Sequence, residues 1–207
     1  MNIIVFSPHP DDAETLMGGT IAKYARNGHS VCIVLVAVPN QKKERVEEAR
    51  IAAGILGADL HVLDLDPYKM AFNRELVEVF DNVLKDFPPD VIYTSWIHDS
   101  HQDHVAISQA TIAASRKSSC PLYMYDQALP SGMTPYSFRA QSFVDISETI
   151  STKVDAVCAH RSQVAIFGDN WVLGIKGRAA YWGFSIGTEY AEAFEVVKEI
   201  REIALAL

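Results

Sequence analysis

Short apolar runs alternate with stretches of helical periodicity along most of this chain, and that alternation restricts the fold more than any other feature. The runs are too short for helices and are partly β-branched, which is typical of buried strands. They lie at residues 2–6, 31–38, 60–65, 91–95, 122–125 and 141–144. Strand–helix alternation predicts an α/β fold with a mostly parallel, Rossmann-like sheet that is flanked by helices.

Between and after these strands, apolar residues recur at the spacing of one helix face. The stretches that show it include residues 46–56, 76–87 and 190–200, the last predicting a helix at the carboxyl end. From Gly168 to Gly187 the chain holds five of its eleven glycines among large aromatic residues. That stretch predicts irregular loops that form a lid or a subunit contact. A length of 207 residues predicts a single domain, residues 1–207.

Composition excludes several classes of protein. The net charge of −8 argues against binding to nucleic acid or to anionic membranes. The three cysteines form no C-x-x-C pair, which argues against both a disulfide framework and a thiolate zinc site. The longest apolar run has eight residues, whereas a membrane span needs about 20. No basic residue precedes Lys23, so a signal peptide is not expected, and we predict a cytoplasmic protein.

The first strand is followed directly by the segment S-P-H-P-D-D-A-E, residues 7–14. One interpretation is a helix start, with Asp11 as the N-cap and Glu14 completing a capping box. That interpretation leaves His9 and the second aspartate, Asp12, unexplained. Adjacent aspartates at a buried strand end repel each other unless a cation offsets their charge, so a metal site is the competing interpretation.

A second polar segment, H-D-S-H-Q-D-H over residues 98–104, follows the strand at 91–95. In the doubly wound order 3-2-1-4-5, strands one and four are neighbours, and ligands bind at the crevice outside their carboxyl ends. The two segments therefore lie on opposite sides of one crevice. Three N and O ligands with a free fourth position are typical of an open catalytic zinc site. A dinucleotide site is excluded because the turn carries carboxylates where G-x-G-x-x-G would be needed.

These motifs resemble those of the LmbE-like/PIG-L family of zinc-dependent N-deacetylases. Residues 8–14 match its signature P-H-P-D-D-x-E, and residues 101–104 match its H-x-D-H. Residues 160–163, H-R-S-Q, are near the family's H-x-S-Q, and residues 187–194 are similar to the chain end of the bacillithiol-pathway subgroup. The resemblance covers residues 2 to about 197 and implies a hydrolase that cleaves a linear amide C–N bond.

The resemblance also implies roles for individual residues. His9, Asp12 and His104 match the ligands of one zinc ion per chain. Asp11 matches the general base, and His101 matches the histidine that stabilises the oxyanion and protonates the amine. Asp103 is similar to the carboxylate that orients a metal-binding histidine.

The substrate implied by the resemblance is an N-acetylglucosamine-type sugar or glycoconjugate, which would yield acetate and a free amino sugar. Arg45, Asp99 and His160 are expected to contact it. Residues 38–43, V-P-N-Q-K-K, replace the family's Gly-Glu-rich segment and leave the particular sugar open. Two alternatives remain, a metal-dependent phosphoesterase and a noncatalytic binding module. A homo-oligomer is expected.

Overall fold

The computed structural model describes residues 1–127 and 134–199, which contain a seven-stranded sheet. The strands are β1 (Asn2–Ser7), β2 (Ser30–Ala37), β3 (Asp59–Leu65), β4 (Val91–Thr94), β5 (Leu122–Tyr125), β6 (Ser142–Asp145) and β7 (Ala191–Lys198). Their order in the sheet is β3-β2-β1-β4-β5-β7-β6. The first five strands pair in parallel, whereas β7 runs antiparallel to both β5 and β6.

Helices cover both faces of the sheet, and alternate residues of β1 belong to different cores. The helices are α1 (Asp12–Arg26), α2 (Lys42–Leu56), α3 (Arg74–Asp86), α4 (Gln102–Ala114), α5 (Ile150–Ala159), α6 (Arg161–Phe167) and α7 (Asp169–Ile186). Ile3 and Val5 pack in one core, with residues of α1, α2 and α5. Ile4 and Phe6 pack in the other, with residues of α3 and α4. Among the described residues, no helix is both long and apolar enough to cross a bilayer.

The predicted α/β class is confirmed, and so is the adjacency of β1 and β4. The prediction of a helix over residues 190–200 is wrong, because residues 191–198 form β7; Ile200 lies outside the described residues. Glu192 and Glu195 of this strand are buried and engage ion-pair partners. Buried glutamates on a strand obscure the alternation of apolar and polar residues, so the helical spacing of Tyr190, Phe194 and Val197 was misleading.

The prediction of irregular loops between Gly168 and Gly187 is also wrong, because this stretch is α7. Two of the five glycines flank the helix, and Gly187 ends it with a left-handed backbone (φ 79°). Gly183 has a packing role inside the helix. A Cβ atom there would lie 2.7 Å from backbone atoms of Glu189 and Tyr190.

We therefore expect Gly183→Ala to lower the free energy of unfolding by about 1–3 kcal/mol, since backbone atoms cannot yield as side chains do. Gly177→Ala is the matched control on the same helix, because its Cβ would meet nothing within 4 Å. The control should be neutral or stabilising by up to about 1 kcal/mol, through helix propensity. Denaturant unfolding of the two variants measures the difference, and equal stabilities would contradict this account of Gly183.

Candidate metal centre

The two polar segments meet where the sequence places them, at the carboxyl ends of β1 and β4. His9 and Asp11 lie in the turn between β1 and α1, and Asp12 begins α1. Asp99 and His101 lie between β4 and α4, whose first turn contains Asp103 and His104. All except Asp103 line one cavity of about 620 Å³.

Three donor atoms converge in this cavity. The Asp12 Oδ2 atom lies 3.1 Å from His104 Nε2 and 3.4 Å from His9 Nδ1. Tetrahedral zinc with ligand bonds of about 2.0–2.1 Å separates its donor atoms by about 3.3 Å. The residues present therefore fit a zinc ion. Among the described residues, His9, His101 and His104 also form a group whose ligand atoms lie within 4.8 Å of one another.

Two buried carboxylates orient the imidazoles of this cluster. Asp103 Oδ2 lies 2.9 Å from His9 Nε2, which leaves Nδ1 directed at Asp12. Asp99 Oδ2 lies 3.0 Å from His104 Nδ1, which leaves Nε2 directed at the same oxygen. Carboxylate–histidine pairs of this kind fix the ring orientation and the tautomer of metal-binding histidines.

The electrostatics of the cluster favour positive charge. Burial alone would lower the pKa of His9, but hydrogen bonds with Asp103 and Asp12 outweigh it and raise the pKa to about 9. For His104, burial is likewise outweighed by Asp12 and Asp99, and the pKa rises to about 10. Burial would raise the pKa of Asp12, but the two imidazoles hold it well below its usual range. Such a site stabilises protons on the imidazoles or, in their place, a metal ion.

Asp11 adopts a left-handed backbone conformation (φ 100°) immediately before α1. Its side chain makes no capping hydrogen bond, so the capping interpretation is wrong for this residue. Its Oδ2 atom lies 3.6 Å from Arg45 Nη2. Burial and the Asp12 charge raise the pKa of Asp11 to about 7. A residue in such a rare conformation is held there by its surroundings, and these residues concentrate at functional sites.

His101 is exposed to the cavity, and its orientation is set by the start of α4. Its Nδ1 atom accepts a hydrogen bond from the Asp103 backbone N–H at 3.2 Å. This makes Nδ1 the acceptor of the neutral ring, so Nε2 carries the proton. Burial and the nearby His104 lower the pKa of His101.

Of the three residues predicted to contact the substrate, two line the cavity and one is buried away from it. Arg45 lines the cavity, but it also donates from Nη2 to the Pro10 carbonyl at 2.9 Å and so supports the turn that carries Asp11. Asp99 also lines the cavity. Its Oδ1 atom accepts a hydrogen bond from the His101 backbone N–H, and its Oδ2 atom is hydrogen-bonded to His104 Nδ1. His160 is 0% exposed and lies against Glu14, 3.5 Å away. His160 does not line the cavity in this structure, and its contact with substrate stays a prediction.

Sequence reasoning did not assign the cavity wall that α6 and α7 provide. Its polar residues include Gln163 and Arg178, and its aromatic residues include Trp171. The signal was the concentration of aromatic residues between Gly168 and Gly187, from which only a lid or a subunit contact was predicted. The helix places these residues beside the histidine cluster.

A buried His/Asp cluster with an adjacent carboxylate, in a crevice of a parallel sheet, defines a candidate hydrolase site of the metal-binding class. The sequence pattern of the PIG-L family, described as GlcNAc-PI de-N-acetylase, matches residues 4–115. The chain belongs to this family and is a deacetylase, an amide hydrolase.

Individual relatives agree with this membership. The chain is 27% identical to a diacetylchitobiose deacetylase from Thermococcus kodakarensis, over 96% of this chain and 84% of the relative. It is 30% identical to the uncharacterized deacetylase YaiS from Escherichia coli, over 77% of this chain and 90% of the relative. The crystal structure of the conserved protein TT1542 from Thermus thermophilus superposes with a TM-score of 0.84 at 29% identity, covering 97% of this chain and 96% of that one.

Proposed function

We propose that this protein is a zinc-dependent deacetylase of N-acetylglucosamine-type sugars or glycoconjugates, and that it releases acetate and a free amino sugar. The observation that carries the proposal is the convergence of His9, Asp12 and His104 beside the Asp11 carboxylate, within a cavity large enough for a sugar. The substrate class is supported by two relatives, one named a diacetylchitobiose deacetylase and the other a probable N-acetyl-α-D-glucosaminyl L-malate deacetylase.

His9, Asp12 and His104 would hold one zinc ion per chain. A zinc ion bound there would supply a Lewis acid that polarises the amide carbonyl and lowers the pKa of water toward about 7. Asp103 and Asp99 keep the two imidazoles in the ligating orientation. The contacts of the two adjacent aspartates support Asp12 as the ligand and Asp11 as the base, because Asp12 faces both imidazoles whereas Asp11 faces Arg45.

Side chains of the protein would then carry out the proton transfers that hydrolysis requires. Asp11, held by the turn that Arg45 supports, accepts a proton from the attacking water. His101 lines the cavity, and its Nε2–H would donate there to the oxygen that gains negative charge. The proton that Asp11 has accepted is then delivered to the amide nitrogen as the C–N bond breaks, so that the amino sugar departs and acetate remains. Donation from His101 needs no prior protonation, since the neutral tautomer already carries this hydrogen.

The two alternative functions lack a supporting observation. Phosphoesterases of this kind commonly use two metals about 3.5–4 Å apart with further carboxylate ligands. Two of the carboxylates beside this cluster, Asp99 and Asp103, instead contact histidine ring nitrogens. A noncatalytic module would not require Asp11 and His101, and both line the cavity.

We also infer that the enzyme acts in the cytoplasm as a homo-oligomer. Cys32, Cys120 and Cys158 are all unpaired, as expected in a reducing compartment. Exposed apolar side chains on α6 and α7, including Ile166 and Leu173, supply a surface suited to contact between copies. Light scattering on the purified protein tests the second inference, and a monomer at micromolar concentration would contradict it.

One assay separates the proposed activity from the phosphoesterase alternative. N-Acetylglucosamine, N,N′-diacetylchitobiose and N-acetylglucosamine 1-phosphate are incubated with the zinc-loaded protein, and acetate and phosphate are both quantified. We expect acetate and an equal amount of primary amine, with no phosphate. Phosphate release without acetate would overturn the proposal.

Metal content tests the ligand set. We expect His9→Ala to lose most of its bound zinc, because a two-ligand site with one carboxylate is far weaker than a three-ligand site. His98→Ala is the control from the same histidine-rich segment, since His98 stacks on Tyr136 at 4.1 Å and lies outside the cluster. Metal analysis of the folded proteins should give about one zinc per chain for wild type and His98→Ala. Unchanged zinc in His9→Ala would rule out the assignment.

A further inference from the structure

Two buried serines lie at the ends of the two strands that carry the histidine cluster. Ser7 is the last residue of β1, and Ser95 directly follows β4. Both are buried, and neither lines the cavity that contains the cluster. The ligand set and the proton transfers proposed above use neither of them, so their place beside both histidine ligands needs its own explanation.

Each serine donates its hydroxyl proton to the backbone carbonyl of one histidine ligand. Ser7 Oγ lies 2.9 Å from the His9 carbonyl oxygen. Ser95 Oγ lies 2.8 Å from the His104 carbonyl oxygen. The peptide group is planar, so a bond to its oxygen restricts the backbone from which the imidazole projects. The backbone of each ligand is therefore held to the end of the neighbouring strand.

Each histidine ligand is thereby held at two points. At the ring, Asp103 contacts His9 Nε2 and Asp99 contacts His104 Nδ1. At the backbone, one of the two serines holds the carbonyl. A carboxylate fixes the direction in which a ring faces, whereas the bond to the carbonyl fixes where the ring is attached. Distances at a metal site must hold to within about 0.2 Å, so both kinds of restraint are needed.

Ser7 makes a second hydrogen bond that bears on the same turn. Its Oγ atom accepts from the Ala13 backbone N–H at 3.1 Å. This amide lies in the first turn of α1, where the side chain of the N-cap residue usually supplies the acceptor. Here the N-cap residue is Asp11, whose side chain makes no capping hydrogen bond. Ser7 replaces the cap, and the Asp11 carboxylate is left for the cavity that it lines.

We propose that Ser7 and Ser95 are positioning residues for metal binding, which hold the backbones of the two histidine ligands at the separation that zinc requires. Ser7 has the larger role, because it restrains the turn that contains His9, Asp11 and Asp12, whereas Ser95 restrains a single ligand. The inference rests on the ligand set of the proposed function and extends it to residues outside that set.

The competing explanation is that each hydroxyl only satisfies its own hydrogen-bonding need, since buried polar groups almost always have a partner. Ser115 provides the matched control. It is buried one residue beyond α4, and its Oγ donates to the Ile112 carbonyl at 3.2 Å. This bond lies at the opposite end of α4 from His104. Ser115→Ala therefore removes the same kind of hydrogen bond without affecting a ligand.

Zinc affinity, measured on the folded proteins by competition with a chelator at constant pH, tests the proposal. We expect Ser7→Ala and Ser95→Ala to bind zinc about 10–100-fold more weakly than wild type, the usual loss when a residue that orients a metal ligand is removed. The loss should be larger for Ser7→Ala. Ser115→Ala should stay within about twofold of wild type, because its site is remote from the ligands.

Two further measurements separate positioning from a purely structural role. Ser7→Thr and Ser95→Thr retain the hydroxyl group and should bind zinc more tightly than the corresponding alanine variants. Cobalt(II) in place of zinc has visible absorption bands that depend on ligand geometry. These bands should change in both alanine variants and should coincide with those of wild type in Ser115→Ala.

Wild-type zinc affinity in both Ser7→Ala and Ser95→Ala would overturn the proposal, and so would an equal loss in Ser115→Ala. Threonine variants that bind no better than the alanine variants would overturn it as well. If Ser7→Ala does not fold, Ser95→Ala and Ser95→Thr decide the outcome by the same criteria.

This comparison fails independently of the proposed function. A wild-type protein that binds zinc yet releases no acetate would refute the deacetylase proposal, and the zinc affinities of the serine variants would still decide on positioning. A wild-type protein that binds no zinc would overturn both the ligand set and the positioning roles. Zinc-binding wild type with unaffected serine variants would overturn the positioning roles alone.

Discussion

Replacement of Asp11 by asparagine is expected to lower kcat by about 10²–10⁴-fold while the protein keeps its fold and its metal. Asparagine has nearly the same shape but cannot accept a proton from water. It also tolerates the left-handed conformation that Asp11 adopts, so backbone strain should not increase. The Arg45 guanidinium, 3.6 Å from Asp11 Oδ2, can still be accommodated by the amide oxygen.

Steady-state kinetics and metal analysis on the same preparations measure both parts of this prediction. Asp59→Asn is the control, because Asp59 is exposed at the amino end of β3, at the opposite edge of the sheet. Loss of zinc in Asp11→Asn would mean that Asp11 is a ligand and that its role is exchanged with that of Asp12. Near-normal kcat with zinc bound would mean that no carboxylate base is needed, and His101 would remain as the acid–base group.

The largest effect on stability is expected at Glu192, a residue remote from the histidine cluster. Helix α1 is broken at Met17, and the amides that follow the break need acceptors. Glu192 accepts hydrogen bonds from Gly19 N at 3.0 Å and from Thr20 N at 2.7 Å, and it also pairs with the Lys153 ammonium. All of these groups are buried, so one carboxylate satisfies two backbone donors and one charge.

We expect Glu192→Ala to lower the free energy of unfolding by about 3–5 kcal/mol, because it leaves a buried ammonium uncompensated and two buried amides without acceptors. Lys153→Met should cost less, because the Glu192 carboxylate keeps its two amide donors at a helix start. Denaturant unfolding measures both, with Glu189→Ala as an exposed control.

A double-mutant cycle isolates the ion pair from the amide contacts. In the Lys153→Met background, Glu192→Ala should lower the free energy of unfolding markedly less than in wild type, since no buried ammonium is then left without a partner. Equal losses of unfolding free energy in both backgrounds would contradict an energetic coupling between Glu192 and Lys153. A Glu192→Ala protein as stable as Glu189→Ala would contradict the account of the α1 break.

The sequence predicts those elements of the fold in which the spacing of apolar residues fits either a strand or a helix alone. In β1 and β2, continuous apolar runs match strands buried on both faces, and the helical periodicity at residues 46–56 matches α2. Parallel pairing then places the carboxyl ends of β1 and β4 side by side. The meeting of His9 with His104 follows from that topology, whereas the ligand and base roles rest on the family resemblance.

The features that the sequence did not predict depend on contacts between residues that are far apart in the chain. Glu192 and Glu195 are buried in β7 because Lys153 and Arg139 lie opposite them, and no local pattern shows those partners. Helix α7 forms despite three internal glycines, one of which permits close contact with the chain before β7. Asp99 was assigned to substrate, yet its orientation toward His104 is visible only in three dimensions.

The central claim is that a single zinc ion at His9, Asp12 and His104 enables this protein to remove an acetyl group from an amino sugar. Acetate release from N,N′-diacetylchitobiose by metal-stripped protein, titrated with zinc, tests it most directly. We expect no release without metal and a rise that saturates near one zinc per chain, with excess zinc adding no further activity. Acetate release that persists in the stripped protein, or that requires two metal ions per chain, would contradict the claim.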